Sequence, residues 1–83
     1  PQLTEERRSE FLKLAGKISE NSKVAIRNIR RDGIEKIKLS EKNKDISQDE
    51  SKKYQSSIED ITSKYIKEID DNLKSKEEDL KKI

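Results

Sequence analysis

The chain has no cysteine, histidine, methionine or tryptophan, a single proline, two glycines, and only one phenylalanine and two tyrosines. Without thiols there is neither a disulfide framework nor thiol chemistry, which fits a reducing compartment. Without His or Cys the commonest metal ligands and the commonest general base are missing, and no glycine-rich phosphate loop replaces them. The expectation is therefore a protein that is not an enzyme and holds no cofactor or metal. No apolar run approaches the roughly 18 residues that span a bilayer, and no basic, apolar and small-residue leader opens the chain. No membrane partner is expected, and a start on Pro1 in place of Met reads as a cut end.

What is present is charge. Of the 83 residues 46% are charged and 28% hydrophobic, a balance that by composition alone borders on disorder. Periodicity argues otherwise. With so few breakers, long helices are the regular structure the chain invites. Thr4 before Glu5 and Glu6 reads as an N-cap with acids in the first turn. From there apolar residues recur at threes and fours, through Phe11, Leu14, Ile18, Ile26 and Ile29, to about Leu39. The polar, aperiodic residues 40–46 predict a turn, and Ser47-Gln48-Asp49-Glu50 is a capping-box pattern that opens a second helix. The reading is a helix over about 4–39, a turn over about 40–47 and a helix over about 48–82, running antiparallel.

At about 100° per residue, Tyr54, Ile58, Ile61, Tyr65, Ile69, Leu73, Leu80 and Ile83 share a stripe about 120° wide, with Ile66 at its margin. Ile58, Ile69 and Leu80 repeat at eleven, which predicts a nearly straight bundle and not a tight left-handed coiled coil. On helix one the apolar arc from Leu14 through Ile29 to Ile37 spans about 140°, with Leu12, Val24 and Ile34 outside it. One partner helix covers about two positions in seven. Something else should pack here, either a third helix or a second copy. Phe11, Tyr54 and Tyr65 fit these stripes and read as core, not as base-stacking platforms. The acidic pairs Asp70-Asp71 and Glu77-Glu78-Asp79 point apart on a helix and read as surface.

The charges are unevenly placed. Residues 1–39 hold ten basic and six acidic side chains and all five arginines, whereas residues 40–83 hold ten and twelve. Within Lys23-Val24-Ala25-Ile26-Arg27-Asn28-Ile29-Arg30-Arg31-Asp32, the side chains of Lys23, Arg27, Arg30 and Arg31 fall within about 100° of one another, with Ala25 and Ile29 behind them. Guanidinium is a planar fork of donors that grips two phosphate oxygens and keeps its charge near neutrality. The ridge is thus expected to lie against folded RNA, by backbone contact and shape.

Four blocks, Pro1-Gln2-Leu3-Thr4-Glu5-Glu6-Arg7-Arg8, the Lys23–Asp32 stretch, Asp45-Ile46-Ser47-Gln48-Asp49-Glu50 and Tyr65-Ile66-Lys67-Glu68-Ile69-Asp70, resemble in order and spacing the C-terminal part of bacterial and organellar ribosome recycling factors. The resemblance implies an L-shaped, two-domain factor whose long arm is a three-helix bundle. These residues would be its second and third helices, an all-α antiparallel hairpin, with the first bundle helix and a small β/α/β domain absent. It further implies ribosome recycling after termination. The helical arm would lie on the large ribosomal subunit and its rRNA, and elongation factor G, contacted through the missing domain, would act with it to split the ribosome. Residue by residue, Arg8, Arg27 and Arg30 match the family's rRNA-contacting arginines, with Arg31 beside them, while Lys23 comes from helical geometry. Gly33 departs from the family's common Ala, and Phe11 and Gly16 stand where the family varies. A bacterial cytoplasm, or an organelle of bacterial descent, is the implied setting, and the fragment alone is expected to be inactive and to self-associate through its uncovered face. The alternative is a helical-hairpin interaction module that docks its apolar face on a partner protein and uses its charges only for solubility.

Overall fold

The computed structural model describes residues 3–82, so Pro1, Gln2 and Ile83, the last assigned above to an apolar stripe, lie outside the described residues. Two helices, α1 (Glu5–Lys42, 38 residues) and α2 (Gln48–Lys82, 35 residues), form a rod 62 × 15 × 12 Å across. Lys23 bonds to Asp70, and Gly33 faces Ile58. As the chain advances on one helix it retreats on the other, which makes the pair an antiparallel hairpin.

The start of each helix is fixed by the expected chemistry. Thr4 Oγ1 accepts from the Arg7 amide at 3.1 Å. Ser47 and Glu50 exchange reciprocal bonds, the Glu50 amide donating to Ser47 Oγ and the Ser47 amide to Glu50 Oε1, both at 3.1 Å. The end of α1 differs from expectation, because the helix takes in Ser40, Glu41 and Lys42, which their polarity had assigned to the turn. Polar residues do not break a helix unless they offer the backbone another partner, and here the stop comes later. Lys44 adopts φ 65°, the Asp45 amide donates to Ser40 O at 2.9 Å, and the Lys44 amide donates to Glu41 O at 3.0 Å. This is a Schellman turn with lysine where glycine is usual.

The seam between the helices is built on two different repeats. On α1 it follows seven, through Leu12, Ser19, Ile26, Gly33 and Ser40, and again through Gly16, Lys23, Arg30 and Ile37, all half-buried. On α2 it follows eleven, through Ser51, Thr62 and Leu73, through Gln55, Ile66 and Glu77, and through Ile58, Ile69 and Leu80. A repeat of seven under-winds a helix and one of eleven over-winds it, so their pairing leaves little net supercoil. The nearly straight rod follows.

The seam mixes apolar side chains with small and polar ones. Among the described residues no hydrophobic side chain is fully buried, and the two residues that are, Ser51 at 0% exposure and Thr62 at 7%, are polar. Thr62 turns its hydroxyl back to Ile58 O at 2.8 Å, and Ser51 Oγ accepts from Gln55 Nε2 at 3.0 Å, so neither is left unsatisfied. The stripes read from the sequence are therefore split. Leu12, Ile34 and Ile66, placed outside or at the margin, are half-buried, whereas Ile29 is 69% exposed and Phe11, Tyr54, Ile61 and Tyr65 are exposed as well. The aromatics are not core in this chain. Each helix covers only one edge of the other's stripe and leaves the rest exposed.

Candidate nucleic-acid interface

On α1 the seam lies between two unlike flanks. On one side, Phe11, Leu14 and Ile18 join Ile69 and Leu73 of α2 around an open groove of about 330 Å³ near the hairpin's free ends. By helical position, Ala25 and Ile29 extend the same flank toward the turn, and Ile61 and Tyr65 extend it on α2. The other flank carries the cations.

The structure does not gather all five candidate cations into one patch. Arg8 stands fifteen residues before Lys23, about 22 Å away along the axis. Its Nη1 lies 3.2 Å from Glu5 Oε1, and its buried Nε has no partner. Lys23, Arg27, Arg30 and Arg31 are neighbours on the helix, yet their surroundings differ. The Lys23 side chain is 16% exposed, and its ammonium donates to Asp70 Oδ1 across the seam at 2.8 Å, with Glu20 Oε2 at 3.3 Å. The Asp70 hydrogen bond, reinforced by Glu20 and by the two charges, outweighs the opposing desolvation and raises the Lys23 pKa above the ordinary lysine value. Arg27 Nη1 is 3.8 Å from Glu20 Oε1, an ion pair beyond hydrogen-bond length. Arg31 is exposed, donates to Asn28 Oδ1 at 3.2 Å, and has Asp32 Oδ1 4.0 Å from its Nε. Arg30 is half-buried at the seam, and among the described residues it makes no ion pair.

Arg27, Arg30 and Arg31 thus present guanidinium groups along one side of a stiff rod, which suits a run of phosphates. Among the described residues no three His, Cys, Asp or Glu side chains gather where they could hold a metal ion, and no helix is long and apolar enough to cross a membrane. The family model described as ribosome recycling factor matches residues 1–80. The chain belongs to the ribosome recycling factor family. Named ribosome-recycling factors from Prochlorococcus marinus, Gluconacetobacter diazotrophicus and Maricaulis maris are 57%, 49% and 47% identical over all 83 residues. This chain spans 46%, 44% and 45% of those relatives, less than half of each.

Two residues beside the ridge escaped the sequence reading of this recycling-factor segment. Glu20 left a signal, since it precedes Lys23 by three and Arg27 by seven, on the same face of α1. Asp70 left none, because its meeting with Lys23 depends on the pairing register of the hairpin.

Proposed function

We propose that this chain is the rRNA-facing hairpin of a ribosome recycling factor, in which Arg27, Arg30 and Arg31 contact phosphates of the large ribosomal subunit and Arg8 makes a separate contact nearer the free ends. Its two helices are the second and third of a three-helix bundle from the C-terminal part of the protein. The first bundle helix lies in the apolar groove, and a small β/α/β domain, outside these residues, meets elongation factor G. The whole factor, working in the bacterial cytoplasm, separates the subunits of the post-termination ribosome by occupying RNA surface, without itself making or breaking a bond. The hairpin alone does not recycle ribosomes and associates with itself through the uncovered groove.

The observation that carries this reading is Arg30, a guanidinium held at the seam with no ion-pair partner among the described residues. Arg30→Ala in the intact protein should weaken large-subunit binding by roughly tenfold and lower the salt slope of the affinity by about 1, with helicity unchanged. Affinity that stays the same across a salt series would remove the assignment.

The exposed groove favours a second reading, a docking module for a partner protein. That reading predicts a salt-tolerant protein complex and indifference to rRNA, so the same titration separates the two.

A further inference from the structure

Glu20, Lys23 and Asp70 form a continuous chain of alternating charge that ends on Arg27. Asp70 Oδ1 of α2 takes the Lys23 ammonium at 2.8 Å. Glu20 divides its carboxylate, Oε2 lying 3.3 Å from Lys23 and Oε1 3.8 Å from Arg27 Nη1. With Nη1 turned toward Glu20, the donors on Nη2 and Nε remain for a phosphate. Lys23 itself has two carboxylates on its ammonium and 16% of its side chain exposed, so a phosphate could reach it only by displacing one of them.

We propose that Asp70, Lys23 and Glu20 are positioning residues: they tie the orientation of the Arg27 guanidinium to the seating of α2 on α1, and none of them is a phosphate ligand. The inference rests on the rRNA reading above and goes further, because it makes two acids next to an RNA-binding ridge assist binding. The simpler view is that these acids are solvated charges that weaken the ridge's field, as isolated surface pairs usually contribute little. The two views differ in sign.

Asp70→Asn and Glu20→Gln each remove one negative charge beside the ridge. If the acids are bystanders, both variants bind large ribosomal subunits more tightly, most visibly at low salt. If they position Arg27, both bind more weakly, by roughly threefold. Asp70→Glu, which keeps the carboxylate, restores most of the affinity. Glu20→Gln lies on α1 away from the seam, and equal helicity of all variants by circular dichroism separates lost positioning from lost folding. All measurements use the intact protein. Tighter or unchanged binding by either neutral variant overturns the positioning role while leaving the rRNA reading in place. Failure of the unaltered protein to bind the subunits in a salt-dependent way overturns the rRNA reading itself.

Discussion

The two flanks of the hairpin are made by the same two helices, yet they ask different things of their surroundings. The groove flank, with Phe11, Leu14 and Ile18 open beside Ile69 and Leu73, exposes apolar surface that folding of these residues alone does not remove from water. The cationic flank, with Arg27 and Arg31 exposed and Arg30 half-buried at its seam edge, carries groups that water solvates well and that could pair with a polyanion. On the function proposed above, one flank answers to folding and the other to binding. The seam between them, polar and small at Ser19, Ser51 and Thr62, supplies register more than stability.

The largest expected effect comes from testing the groove flank in two settings. Ile18 is 57% exposed in this chain, so Ile18→Ala in the dilute, unassociated hairpin should change the unfolding free energy by about a few tenths of a kcal/mol at most. In the intact protein, with a helix seated in the groove, the same change should cost about 2–4 kcal/mol, as for a buried isoleucine. Subunit affinity of the folded fraction should not move. Equally small losses in both settings would put the groove on the surface of the whole protein and break the contrast between the flanks.

The same contrast explains what could be read from the residues. Thr4, Ser47 and Glu50 act within three or four positions of themselves, so the helix starts were legible from the sequence. The arginine ridge was legible for the same reason, as its members lie within one short stretch of α1. The seam was not. Its heptad runs through Ser19, Gly33 and Ser40, and through Gly16, Lys23 and Arg30, which no hydrophobic pattern marks, while the conspicuous apolar residues Ile29, Ile61 and Tyr65 belong to the open flank. Hydrophobic periodicity reports the sum of all buried faces in the whole protein, not the face turned to one neighbour. The partner of Lys23 was hidden likewise, because Asp70 is 47 residues away in sequence.

A finer test uses the two glycines of the seam, which should affect stability and leave both flanks alone. A Cβ added at Gly16 would meet nothing within 4 Å, so Gly16→Ala should gain nearly the full helix-propensity difference of about 1 kcal/mol. At Gly33 a Cβ would stand 3.2 Å from Ile58 Cδ1, the end of a flexible side chain that can turn aside at some cost. Gly33→Ala should therefore gain less, on the order of a few tenths of a kcal/mol. Thermal melts of the two variants rank them. A larger gain at Gly33 than at Gly16 would mean that the helices approach more loosely near the turn than at the free ends, the reverse of what the groove requires.

The smallest effect lies in the Lys23–Asp70 clasp beside the cationic flank. The Asp70 hydrogen bond raises the pKa of Lys23 above 10.5, whereas the unfolded chain keeps the ordinary value. A raised pKa means that the folded state holds the proton more tightly. Its contribution is fully present below the ordinary lysine value and is lost as pH climbs through the raised one. The hairpin should lose this increment only in strongly alkaline solution. The informative quantity is the difference in melting temperature between the unaltered chain and Asp70→Asn, followed as pH rises. That difference should shrink, because the unaltered chain loses an interaction that the variant never had. A difference that stays constant with pH would mean that Lys23 and Asp70 are not joined in solution.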